Sequence, residues 1–149
     1  MAKNGEIRAE PDREPRSQSA ALPWRRSPDG VLEVLLITSR ETRRWVIPKG
    51  WPIKGLSAAF TAAREAFEEA GVRGEPSRRK VGVYQYAKRL RSGRLQQVRV
   101  SVYALRVDAE EAVWPEVEQR DKLWTSPAEA ADLVQEPELA ILLRAFTPP

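Results

Sequence analysis

One stretch, Gly50–Val72 (GWPIKGLSAAFTAAREAFEEAGV), limits what this chain can fold into more than any other. Ser57 is a helix N-cap residue, and Gly71 can take the left-handed conformation that ends a helix. Ala58, Ala59, Ala62, Ala63, Ala66, Phe67 and Ala70 between them form a surface of mostly small residues that can pack close to a sheet. Glu65, Glu68 and Glu69 fall at i, i+3 and i+4, on one face about a turn apart. Like charges that close cost a few tenths of a kcal/mol per pair on a helix, and a divalent cation would turn the repulsion into chelation. Magnesium takes oxygen ligands, keeps several waters, and is typically held by a few carboxylates and substrate phosphates. The plainer alternative is a surface helix with Arg64 and Glu68 as an i,i+4 pair and the other acids solvated.

Composition narrows the chemistry. At 149 residues the chain is one domain's worth and can bury a sizeable core. It has no cysteine and no histidine, which excludes disulfides, thiolate metal sites, a cysteine nucleophile and the commonest general base and zinc ligand. Acid–base and metal chemistry must run on Asp, Glu, Lys, Arg, Tyr and water. No apolar run approaches the roughly 20 residues that cross a bilayer, and the first residues lack the apolar core of a secretory signal. The expectation is a cytoplasmic protein with no membrane partner.

The net charge of +4 is unevenly placed. From Arg73 to Arg106 there are ten Lys/Arg against the single acid Glu75; from Val107 to Glu138 there are ten Asp/Glu against Arg120 and Lys122. A basic face suits a small polyphosphorylated partner, or, as the less favoured choice, a nucleic-acid backbone. The oligomeric state has no signature in the sequence.

Along the chain, residues 1–18 are polar and proline-bearing and read as a flexible tail, with a single domain over 19–149. Strands are expected at Ala20–Arg26, Val31–Thr38, Trp45–Ile47, Lys80–Leu90, Leu95–Val107 and Lys122–Thr125. Asp29-Gly30 and Arg91–Arg94 read as turns, Lys49–Gly55 as a loop, Arg73–Ser77 as a polar turn and Asp108–Glu118 as an acidic loop. Ser126 caps a helix with Pro127 at its first position, and Glu136–Phe146 forms a last helix, apolar at Leu139, Ile141, Leu142 and Phe146. This order describes an α/β protein, a mixed sheet with the Gly50–Val72 loop–helix packed on it.

The segment resembles the signature box of the Nudix hydrolases, G-x5-E-x7-R-E-U-x-E-E-x-G-U. Gly50, Arg64, Glu65, Glu68, Glu69, Gly71 and Val72 match, and Ala66 is a small stand-in at the first aliphatic position. Leu56 departs, standing where the box has its first glutamate, the one least directly involved in metal binding. The approach Trp45-Val46-Ile47-Pro48-Lys49-Gly50-Trp51 is similar to small bacterial relatives of the diphosphoinositol polyphosphate phosphohydrolases. The resemblance implies an α/β/α sandwich and magnesium- or manganese-dependent hydrolysis of a phosphoanhydride, in a diphosphoinositol polyphosphate or dinucleoside polyphosphate. It implies that Glu65, Glu68 and Glu69 ligate the metal with help from the backbone near Lys49–Gly50, Glu65 serving as ligand, base or both. Arg64 would orient the glutamates, and a further glutamate would come from a later loop, where Glu116 and Glu118 are the candidates. A catalytically silent member that binds a nucleotide or RNA is the other reading, and Leu56 points to it. For the phosphates, Lys49 and Lys54 flank the entry to the helix, Arg40 and Arg44 lie on the loop before it, and Lys88, Arg89, Arg91 and Arg94 cluster at the hairpin. Trp45, Trp51 and Trp114 are candidates to stack on a base or to anchor the core.

Overall fold

The computed structural model describes residues 15–149. Eight strands form one sheet: β1 (Arg16–Arg26), β2 (Leu32–Thr38), β3 (Trp45–Val46), β4 (Lys49–Gly50), β5 (Val72–Pro76), β6 (Gly82–Arg89), β7 (Leu95–Glu110) and β8 (Lys122–Thr125). Three helices accompany it among the described residues: α1 (Ala58–Ala70), α2 (Pro127–Leu133) and α3 (Pro137–Arg144). The central order is β3-β2-β1-β7-β5, with β4 on β1, β6 on β7 and β8 on β2. The β1–β7 pair is parallel and the others are antiparallel, so the sheet is mixed as expected.

Alternation along β1 and β2 creates the layers. Ala20, Leu22, Val34 and Leu36 point to one face, where they join Val98, Val100, Val102, Ala130, Ala131, Leu139 and Leu143 under α2 and α3. Ala21, Leu35 and Ile37 point to the other, against Ala62, Ala66 and Ala70 of α1. A strand buried on both faces reads as a continuous apolar run, as VLLI in β2 does. Ala62, Ala66 and Ala70 are fully buried, whereas Ala58 is exposed and Ala59 and Ala63 are half-buried; the lack of bulk at the buried three lets the helix axis approach the sheet. A larger side chain at Ala66 would overpack that layer at about 1–3 kcal/mol.

The ends of α1 form as expected. Ser57 accepts a hydrogen bond from the Phe60 N–H, and Gly71 takes φ 71°. Only glycine suits that end, because Trp114 lies where a Cβ would stand.

Several expectations are corrected. β1 begins at Arg16, so Arg16, Ser17 and Gln18 are strand rather than tail; residues 1–14 of the expected tail lie outside the described residues. Lys49–Gly50 is a short strand on β1. The expected turn at Arg73–Ser77 is β5 over Val72–Pro76, and the acidic segment stays in β7 through Glu110. Arg, Gly, Glu and Pro are weak strand formers, but each of these segments supplies the other's ladder, and tertiary pairing outweighs propensity. Ile141 of α3 is exposed rather than core.

Candidate active site

A cleft of about 1000 Å³ is lined by Glu65, Glu69 and Glu116, by Arg40, Arg44, Lys49, Lys88, Arg89, Arg91 and Arg120, and by Gly50, Trp51 and Tyr86. The loop after β2, the β4 entry, one face of α1 and the end of β6 bring these together. A smaller hollow of about 260 Å³ lies along α1 and is lined by Leu56, Phe60, Ala63, Arg64 and Phe67. It holds none of the acids; those that line a hollow here all belong to the larger cleft.

Glu65 and Glu69 stand one helical turn apart on the side of α1 that lines the cleft, and each carboxyl group acts on the proton affinity of the other. Burial raises the proton affinity of Glu69, which the Arg120 guanidinium opposes and Glu65 adds to. Glu65 is also raised, first by burial; Glu69 opposes the rise, while the charges of Glu68 and Glu116 add to it. The Lys49 N–H donates to Glu69 Oε1 at 3.4 Å. Gly50 has a spatial reason to be glycine, since a Cβ there would occupy the position of the Glu65 carboxyl group. This explains the interval between Gly50 and Glu65 in physical terms.

Arg120 was not singled out from the sequence. Its side chain is only 9% exposed, and its Nη2 lies 3.8 Å from Glu69 Oε2. Its Nε donates to Glu116 Oε1 at 2.8 Å, and its Nη1 donates to the Thr38 carbonyl at 3.1 Å. Arg120 therefore ties the later-loop glutamate to the helix glutamate, the orienting role expected of Arg64. The available signal was an arginine isolated in an acidic run, four residues after Glu116. The loop is fixed to the helix end by the Glu116 N–H donating to the Glu68 carbonyl at 3.1 Å. Glu116 lines the cleft, whereas Glu118 is exposed outside it.

Arg64 instead lies 3.9 Å from Glu68, in a half-exposed pair, and lines the smaller hollow. Glu68 does not line the cleft. Among the described residues no three acidic side chains converge closely enough, as they stand, to hold an ion together. The donor set nevertheless fits a hard divalent cation in kind. It offers only oxygen, two of its carboxylates stand one helical turn apart, and burial makes their negative charge costly without a cation. Glu68 and Glu116 are each turned toward an arginine.

The cationic wall is built by two loops and a hairpin. Arg44 forms a 2.7 Å ion pair with the buried Glu136, whose other carboxylate oxygen has no hydrogen-bond partner. Arg43 takes φ 58°, and its guanidinium holds Asp121 at 2.9 Å and the Gln119 carbonyl at 3.1 Å. That anchorage sets the loop carrying Arg40 and Arg44. Burial holds the Lys49 ammonium below its ordinary proton affinity, while Glu69 and Glu136 oppose that shift. Lys54 and Arg94 do not line the cleft, although Lys88, Arg89 and Arg91 do. Of the three tryptophans considered for stacking, Trp45 packs on the core, Trp114 lies against Gly71, and Trp51 alone lines the cleft.

A family model, the NUDIX domain, matches residues 16–146. The chain belongs to the Nudix family. Among relatives, it is 35% identical over 117 residues to Nudix hydrolase 4 of Arabidopsis thaliana, covering 78% of this chain and 54% of the relative. It thus spans about half the length of that relative. The fold is similar to a Caenorhabditis elegans Ap4A hydrolase, with a TM-score of 0.62 at 19% identity over 88% of this chain and 95% of the other. It is also similar to the Nudix domain of Shewanella oneidensis NrtR complexed with ADP ribose, with a TM-score of 0.64 at 16% identity over 89% and 86%. Those likenesses confirm the α/β Nudix architecture. Members of the family generally use divalent metal ions. No helix among the described residues is long and apolar enough to cross a membrane.

Proposed function

We propose that this chain is a pyrophosphohydrolase that cleaves a phosphoanhydride bond in a small polyphosphorylated substrate, of diphosphoinositol polyphosphate or dinucleoside polyphosphate type. The observation that carries the reading is Glu65, seated against Gly50, and the buried Glu69 one turn on, lining the same cleft as a wall of arginines and lysines. Magnesium, or manganese in its place, would be held by Glu65, Glu69, Glu68 and the Gly50 backbone, and when bound it supplies charge neutralisation and a more acidic water.

The protein's own residues do the rest. Arg44, Lys49, Lys88 and Arg91 bind the phosphate oxygens and fix the chain of phosphates against the helix. Arg120 holds Glu69 and Glu116 in place by charge-assisted contacts. Water attacks phosphorus, an O–P bond forms as the anhydride O–P bond breaks, and the departing phosphate takes the bond's electrons. Glu65 or Glu69 takes the water's proton, a role their burial suits, since a base works best with a proton affinity raised toward the working pH. We place the protein in the cytoplasm, and imaging of the tagged full chain inside an organelle would refute that placement.

A catalytically silent binder is the second reading, favoured by Leu56 and by the absence of a converged three-acid cluster among the described residues. Phosphate release from diadenosine polyphosphates, diphosphoinositol phosphates and nucleoside triphosphates, with and without magnesium, separates the two. Magnesium-dependent release lost in Glu69→Gln supports the hydrolase. Tight binding with no release from any of them supports the silent binder.

A further inference from the structure

Among the described residues, Trp51 and Tyr86 are the only aromatic residues lining the cleft. A site that selects a nucleobase needs a free ring face or a pocket of hydrogen-bonding groups shaped to the base edge. Neither ring is free. Both pack on the apolar core with part of their surface. The Arg16 guanidinium lies over the Trp51 ring at 4.6 Å, and the Lys49 ammonium lies over the Tyr86 ring at 5.1 Å. The Tyr86 hydroxyl is also engaged, donating to Gln18 Oε1 at 2.8 Å.

The charged lining is the opposite case. Arg40, Lys88, Arg89 and Arg91 have no carboxylate within ion-pair distance among the described residues. Among the described residues, Arg40 reaches only the Gln119 side-chain oxygen at 3.2 Å, and Arg89 only the Gly93 carbonyl at 2.7 Å. Neutral acceptors leave a cation's charge unmatched, and a chain of phosphates matches it.

We infer that the cleft selects its substrate by the number of phosphates and is indifferent to any base attached, because Arg16 and Lys49 cover the ring faces on which a base would stack. Arg16 is thereby a specificity-determining residue outside the cleft lining. It keeps Trp51 closed, so affinity comes from phosphate charge. The inference rests on the hydrolase reading only for the assignment of this cleft as the substrate site.

The test measures binding by calorimetry and turnover by phosphate release, in magnesium, on the full chain. The probes are adenosine, uridine and base-free ribose, each carrying two, three or four 5′-phosphates. At fixed phosphate number the three should differ by less than about fivefold in affinity, the lower end of what stacking one base on a free ring contributes. Affinity should climb with each added phosphate. A base effect above that limit, or affinity flat in phosphate number, overturns the inference. Arg16→Ala should open Trp51 and raise the adenine-over-ribose ratio by about fivefold or more, as one new stacking contact would, while Arg16→Lys keeps a cation over the ring and the wild-type ratio. An Arg16→Ala protein that melts normally and keeps the wild-type ratio overturns the role given to Arg16. Base-indifferent, phosphate-graded binding, with no turnover of these probes or of the diadenosine and diphosphoinositol polyphosphates, would refute the hydrolase proposal and support this one. Base-selective binding with turnover would do the reverse.

Discussion

Two regions of this molecule are made of the same residue types and end up in different states. Around Glu110, Arg25 lies over Trp124 at 4.0 Å and Lys122 over Trp114 at 4.5 Å. Glu110 draws both cations in, at 3.2 Å and 3.0 Å, and accepts the Trp124 indole N–H at 3.1 Å, while Glu33 takes a second contact from Arg25 at 2.8 Å. Each cation there has a carboxylate, and the cluster is complete in itself. At the cleft, Arg16 beside it and Lys49 in its lining also lie over aromatic rings, but Arg40, Lys88 and Arg91 have no carboxylate partner among the described residues, and Glu69 and Glu116 are held by Arg120. Residue type does not distinguish a structural cluster from a binding one; the unmatched charge does.

The comparison breaks most sharply at the carboxylates. Glu69→Gln should lower kcat by roughly 10²- to 10⁴-fold, the range a lost acid–base or charge-stabilising group covers, with the melting temperature little changed or raised, because a costly buried charge is removed. Undiminished turnover would mean that Glu69 is not in the reaction. Next comes Gly50→Ala. Its Cβ displaces the Glu65 carboxyl group, and a misplaced ligand typically costs about 10- to 100-fold in metal affinity or activity. Magnesium titration followed by thermal melting should show a weaker upward shift in this variant than in the wild type, and an equal shift would contradict the placement of Glu65.

Charge removal gives a smaller and more directed effect. Arg91→Ala should raise KM for a tetraphosphate by about tenfold, near the 1.5–3 kcal/mol of a hydrogen bond to a charged group, and should raise it less for a diphosphate. Arg94→Ala, outside the cleft lining, should leave both unchanged, and so should Arg25→Ala in the closed cluster. Equal KM effects at Arg91 and Arg25 would erase the distinction between the two regions.

The smallest effect tests the closed cluster by pH. Burial by itself would raise Glu110, but the Trp124 and Lys122 hydrogen bonds and the charges of Lys122 and Arg25 together hold it below its usual 4.5. Its folded proton affinity is therefore depressed relative to the unfolded chain. Its stabilising contribution is present above pH 4.5 and is lost as pH falls through the folded value. Glu110→Gln should lower the melting temperature by a few degrees at neutral pH, since partly exposed pairs contribute about 0.2–1 kcal/mol each, and the gap to wild type should close in acid. A constant gap down to pH 3 or so would show that packing, not the ion pairs, holds the cluster.

Much of the fold was legible because local signals and global placement agree. Ser57 and Gly71 bounded α1, the apolar run within Val31–Thr38 marked β2, the valines of Leu95–Val107 marked most of β7, and Ser126-Pro127 started α2. The failures share one cause. β5 and the end of β7 carry Arg, Gly, Glu and Pro, and are strands only because each lies beside the other. Arg16 could not be read as part of the domain for the same reason, since its strand is held by a parallel partner more than eighty residues away, at Val98. In the site, Glu65, Glu69 and Glu116 were readable as candidates, but Arg120 was not, because a basic residue in an acidic run looks like surface until the loop folds back.

By itself the sequence determined the helix, its three acids and their spacing, the absence of sulfur and imidazole chemistry, and the layered architecture, since these follow from short-range periodicity and from which atoms are present at all. Only the tertiary structure decided which arginine reaches Glu69, why Gly50 must lack a side chain, and which cations go unmatched. Those depend on distances between residues far apart in the chain, and a charge is open or satisfied only through what stands within a few ångströms of it.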